Sequence, residues 1–152
     1  MFEFIQSILT DPENGRAEAR ASIPRNALEF EDHFPGMPLL PGSVLIELSA
    51  QVAGPLAEEV LKTRFGLERW AMLGMIRDAK FLRPVPLPAT IHLAAHVERA
   101  EPTHVIARVQ ATIEGNELLR ADLWMMMQEA GAGWNEAIEA RRARVARWKA
   151  NA

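Results

Sequence analysis

One long apolar helix followed by four strand-like runs predicts an α+β domain, a curved antiparallel sheet wrapped around a central helix. Three observations carry this. Ser43 to Gly66 repeats apolar residues at helical spacing, and from Val44 to Leu56 only Glu47 and Gln51 are large polar residues. Ala71–Phe81, Thr90–Glu98, Thr103–Glu114 and Glu117–Gln128 read as strands with turn residues between them. The chain has 152 residues, 49% of them apolar and 24% charged, enough to close a core within one domain.

Taken in order, Met1 to Leu9 reads as a short amphipathic helix, with Phe2, Ile5 and Leu9 on one side. Asp11-Pro12-Glu13-Asn14-Gly15 is turn chemistry, and Arg16 to Ile23 alternates as a strand does. Asn26 to Gly42 is dense in proline, glycine and phenylalanine, which excludes a helix interior and predicts an ordered loop. Ser43 is placed to cap the long helix, Gly66 to end it, and Gly54-Pro55 to bend or divide it. Glu101-Pro102 separates two of the later strands, and Glu114-Gly115-Asn116 joins two more as a hairpin. After Gly131-Ala132-Gly133, a second helix runs from Trp134 to Lys149, with Trp134, Ile138, Val145 and Trp148 on one stripe and five basic residues in its last part. The domain is therefore expected over residues 1–130, with 131–152 an appended basic amphipathic helix.

Several functions are excluded or disfavoured at once. Without cysteine there is no disulfide scaffold, thiolate nucleophile or cysteine-ligated metal. A formal charge of -3 makes no electrostatic case for nucleic acid. The first ten residues carry an acid and no base, unlike an export signal, and the longest uncharged run, Phe34 to Ile46, contains three prolines and is shorter than the ~20 residues of a membrane span. A cytoplasmic protein is expected. His92 and His96 are four apart, but on a strand, with no acid to complete a metal site, so no metal is expected.

Chemistry concentrates where the loop meets the helix. His33 sits in the proline-rich loop, and Glu47 sits near the start of a helix otherwise apolar. An unpartnered buried carboxylate costs several kcal/mol, so burial would favour its neutral acid over the anion that the helix N-terminus favours by up to about 1 kcal/mol. An imidazole that accepts a proton beside a carboxylic acid that gives one is an acid–base pair. Backbone N–H groups at the helix start are placed to polarise a carbonyl. Together these suit elimination of water next to a thioester.

The segment His33-Phe34-Pro35-Gly36-Met37-Pro38-Leu39-Leu40-Pro41-Gly42, followed by Glu47 and Ala50-Gln51, strongly resembles the β-hydroxyacyl-acyl-carrier-protein dehydratases of bacterial fatty-acid biosynthesis, the FabZ/FabA type. Ala79-Lys80-Phe81-Leu82-Arg83-Pro84-Val85 resembles a second block of that family, and the likeness runs from about Glu18 to Met127. The resemblance implies a hot-dog fold, paired into a homodimer, with assembly to hexamers left open. It implies a lyase whose site lies between subunits, His33 being the general base and Glu47 of the other subunit the acid. Gln51, one turn beyond Glu47, would orient the carboxylate; the backbone around Gly42 and Gly74-Met75 would hold the thioester carbonyl, with Phe34 beside the substrate. No metal or organic cofactor is implied, and the substrate would ride on the phosphopantetheine arm of acyl carrier protein.

Departures from the family pattern mark a divergent member: Asp32 and Met75 stand at positions usually glycine, Pro55 lies within the helix, and Pro86-Leu87-Pro88-Ala89 replaces the usual turn. Two alternatives stay open, a thioester hydrolase on the same fold and a non-catalytic carrier-binding protein. Met72, Met75 and Met125-Met126-Met127 are read as core more readily than as an acyl tunnel. For docking of an acidic carrier, the C-terminal cations and the group Arg77, Lys80 and Arg83 are rivals, with plain packing favoured for the C-terminal helix.

Overall fold

The computed structural model describes residues 3–27, 30 and 33–152. Its elements are β1 (Ile5–Asp11), β2 (Arg16–Ile23), α1 (Gly42–Phe65), β3 (Trp70–Phe81), β4 (Ala89–Glu101), β5 (His104–Ile113), β6 (Asn116–Gln128) and α2 (Asn135–Ala150). The six strands form one antiparallel sheet in the order β1-β2-β4-β5-β6-β3. Alternation places one face of each inner strand on α1: Ala17, Ala19, Ala21, Ile91, Leu93, Val105, Val109 and Leu123 are all buried. From the helix, Leu48, Val52, Leu56, Val60 and Leu61 meet them, each contributing about 1.5–3 kcal/mol by burial.

The N-terminal segment is a strand, not the helix its spacing suggested. Ile5 and Ile8 are both buried although three residues apart, because the pairing with β2 slips between Ile5 and Ser7. One extra residue shifts the alternation and imitates a helical period. A nine-residue helix is marginal alone, whereas Arg16–Ile23 offers a ready ladder across the Asp11–Gly15 turn. Met1 and Phe2, part of that expectation, lie outside the described residues.

The long helix begins at Gly42 with Pro41 as its N-cap (φ -61, ψ 142); Ser43 is exposed and caps nothing. Pro41 contributes its carbonyl, accepting from the Val44 and Leu45 N–H groups. Gly66 ends the helix in the left-handed conformation (φ 65), as expected. Gly54-Pro55 does not divide it: the helix is continuous for 24 residues. Proline costs about 3 kcal/mol in a helix interior, and here the whole stretch from Val52 to Ala57 is buried, which offsets it.

The β5–β6 hairpin is tight, with Ile113 opposite Asn116 and positive φ at both Glu114 (49) and Gly115 (79), the backbone of a type I′ turn. Alternation along β6 also divides the methionine run, burying Met125 and Met127 and leaving Met126 outside. In α2, Ile138 and Trp148 are buried and Val145 packs on the core, but Trp134 sits at the N-cap, half exposed, with its ring tilted against Trp70 at 5.2 Å between centroids. Asn151 Nδ2 donates to the Gln6 carbonyl, tying the C-terminus to β1. Among the described residues no helix is long and apolar enough to cross a membrane.

Candidate active site

The loop before α1 is held by main-chain atoms. Leu40 N–H donates to Val85 O (2.9 Å) and Leu87 N–H to Pro38 O (3.0 Å), with Leu39 bridged to Pro86. Phe34-Pro35-Gly36-Met37 closes a turn through Met37 N–H to Phe34 O (2.9 Å), Gly36 supplying the required positive φ (79). Phe34 itself is left-handed (φ 60), more than half exposed, and sets its ring edge-on to the His33 imidazole at 4.8 Å.

His33 is half-buried, and its Nδ1 lies 3.0 Å from the carbonyl of Leu39. A carbonyl only accepts, so Nδ1 carries the hydrogen and the Nε2 lone pair is left to take a proton. The partner was not legible beforehand, since a main-chain oxygen has no signature in residue type. Asp32, the departure flanking this histidine, lies outside the described residues.

Glu47 is not enclosed on every side by its own chain. With Ser43, Ala50 and Gln51 it forms the strip of α1 that stays open while the positions between them are buried. The desolvation expected for this acid therefore requires a second surface. Gln51 Nε2 donates to Glu47 Oε1 at 2.9 Å, one helical turn away. Among the described residues no hydrogen bond joins His33 to Glu47 within one chain.

Gly42 has no room for a side chain: a Cβ there would stand 2.8 Å from Phe81 Cε1. The helix start is thus seated on the end of β3, a contact the second sequence block carries through Phe81. Gly74 sits where β3 slips against β6, and its Cβ would meet Met126 Cγ at 2.5 Å. Met75, opposite Trp124, is exposed on the outer face. His92 and His96 are also on the outer face of β4, facing Glu18 and Glu98.

The FabA-like domain family matches residues 1–122. The chain belongs to that family. A 3-hydroxyacyl-acyl-carrier-protein dehydratase FabZ of Latilactobacillus sakei is 31% identical over 112 residues, covering 74% of this chain and 78% of that protein. Among solved structures, the dehydratase heterocomplex ApeI:P of Xenorhabdus doucetiae has a TM-score of 0.58 at 16% identity, covering 83% of this chain and 99% of that one. A thioesterase of Haemophilus influenzae has a TM-score of 0.57 at 16% identity, covering 74% and 71%. Likeness at that identity establishes the hot-dog fold alone. This FabA-like chain is a divergent member of the dehydratases, and its α2 lies wholly beyond the matched stretch.

Proposed function

We propose that this hydro-lyase dehydrates 3-hydroxyacyl groups carried on acyl carrier protein, as a cytoplasmic homodimer in fatty-acid biosynthesis, giving trans-2-enoyl thioesters. The observation that carries the reading is the His33 Nδ1–Leu39 carbonyl contact, which presents Nε2 as a ready-made base. His33 Nε2 removes a proton from C2, and main-chain N–H groups at Gly42 and Gly74-Met75 take up the charge developing on the thioester oxygen. The electron pair then forms the C2–C3 double bond as the C3–O bond breaks, and Glu47 of the second protomer protonates the departing hydroxyl, which leaves as water. Gln51 holds the Glu47 carboxyl in the orientation needed for that transfer. The partly open strip around Glu47 supports a two-chain site, because a second protomer would supply the missing enclosure.

The carrier is expected to dock at Arg77, Lys80 and Arg83. Most α2 cations are consumed inside the chain, Arg141 by Glu58, Arg142 by Glu68 and Glu139, Arg144 by Glu3 and Lys149 by Glu59. None of Arg77, Lys80 and Arg83 makes an ion pair among the described residues; Arg77 lies over the Trp124 ring.

A carrier-dependent assay separates the alternatives, with enoyl formation for dehydration, free carrier thiol for hydrolysis and no turnover for a binding protein. His33→Ala and Glu47→Gln are each expected to cut turnover by orders of magnitude with the fold preserved. Full activity of His33→Ala removes the base assignment, and a mild loss in Glu47→Gln makes that acid structural.

A further inference from the structure

The two edges of the sheet are finished differently. β1 is covered by the end of α2, where Trp148 is buried and Asn151 bonds Gln6. β3 is open, with Met72, Leu73, Met75 and Ile76 exposed on alternate faces. At the first turn of β3, however, side chains already occupy the open side. Met127 opposite Ala71 sends its N–H away from β3, to Thr103 O (3.0 Å), so by antiparallel alternation the N–H and C=O of Ala71 both point outward. The N–H donates to Glu58 Oε1 at 2.8 Å, and the C=O accepts from Arg141 Nη1 at 3.3 Å. Arg141 Nη2 and Glu58 Oε1 are themselves 2.8 Å apart. The guanidinium reaches this place across Gly54, whose Cβ would lie 2.7 Å from Nη2.

A donor and an acceptor bridged to one another, facing the acceptor and donor of one residue, reproduce what a neighbouring strand would present. We propose that Glu58 and Arg141 act as a stand-in strand that stops pairing between two copies of this chain at Ala71, so that the second copy joins along Met72–Arg77. The other limit is built into β3 itself: its register slips between Arg77 and Lys80, where Asp78 has φ 52. In a twofold antiparallel pairing centred on Gly74-Met75, the capped Ala71 of one copy falls opposite the irregular Asp78 of the other. Ala71 then needs no hydrogen bond from the other copy. The cap thereby fixes where the two copies of β3 cross. Arg141 belongs to α2, outside the family-matched residues, so membership of the family does not by itself supply this cap.

This inference rests on the dimeric reading above but not on the chemistry, and its test reads no turnover. The chain lacks cysteine, so single cysteines at Met72, Leu73, Met75, Ile76 and Lys80 report only on strand proximity. In this register Met75 faces Gly74 of the other copy and so lies one position from its own counterpart, nearer than any of the other four, and such near neighbours across an antiparallel pair come close enough for a disulfide. After mild oxidation, Met75→Cys is expected to give the highest yield of covalent dimer, with Met72→Cys and Lys80→Cys several-fold lower. In the Arg141→Met background the maximum should move toward Met72 or spread over several positions. Arg141→Lys, which keeps the charge and loses the fork, should spread it less, and it serves if the methionine variant does not fold. A wild-type maximum at Lys80, no cross-link at any position, or a pattern unchanged in both Arg141 variants overturns the proposal. An inactive wild type with the expected cross-link pattern sinks the dehydratase reading and leaves this one standing.

Discussion

Replacing Gln51 by methionine tests the acid end of the proposed site. Methionine keeps the length of the side chain and is a good helix former, so the helix itself is spared. The change deletes the 2.9 Å donor to Glu47 Oε1. The proposed acid is neutral until it gives up its proton, so the range for ordinary hydrogen bonds, about 0.5–1.5 kcal/mol, applies, and its upper end sets the largest effect. If the bond orients Glu47 for proton transfer, about 1.4 kcal/mol appears in the barrier, roughly a tenfold fall in kcat. KM should stay near its starting value, because the proposed role of Gln51 is to orient Glu47 and not to hold the substrate. The assay is steady-state enoyl formation from a carrier-bound 3-hydroxyacyl group, run beside a thermal melt. An unchanged kcat with a lowered Tm would refute the reasoning, since the hydrogen bond would then serve the fold alone.

Gly42→Ala forces a Cβ to 2.8 Å from the Phe81 ring, and that half-exposed ring must swing outward. A cost of about 1–2 kcal/mol is expected, lowering Tm by about 2–4 °C per kcal/mol, with catalysis falling as well because the helix start moves; calorimetry and turnover measured together check both. Burial raises the Glu58 carboxyl above its ordinary value of 4.5 despite Arg141 beside it. The native state therefore holds this proton more tightly than the unfolded chain does, and stability is lost as pH rises from 4.5 to the raised value and is flat beyond it. Urea melts between about pH 4 and pH 8 should show wild type losing ground to Glu58→Gln as pH rises. The opposite slope would mean that Arg141 outweighs the desolvation.

Much of this molecule was legible from residue patterns. The long helix announced itself because its apolar positions recur over six turns, and four strands because turn residues bracket them. The first strand was misread for a definable reason: a single inserted residue at Gln6 put Ile5 and Ile8 on one face, and local periodicity cannot distinguish that from a helix. Ser43 looked like a cap by residue type, yet Pro41 takes the position by backbone angle alone. In the site, Glu47 and Gln51 were readable as neighbours because helical spacing determines proximity. The acceptor for His33, the latch of the loop onto Val85 and Leu87, and the grip of Arg141 on Ala71 all depend on main-chain atoms brought together by tertiary packing. No residue type encodes those.

The imidazole takes its orientation from the carbonyl of Leu39, an atom that every amino acid possesses. Whatever side chain replaces leucine at that position, the oxygen remains, so the orientation of the ring is insulated from drift in the residue that aims it. On the proposed reading, side chains around the loop are free to vary with the shape of an acyl substrate, while retuning the base demands a new path for the backbone. Selectivity and reactivity are in this way separated, the first open to point substitution and the second guarded by the fold.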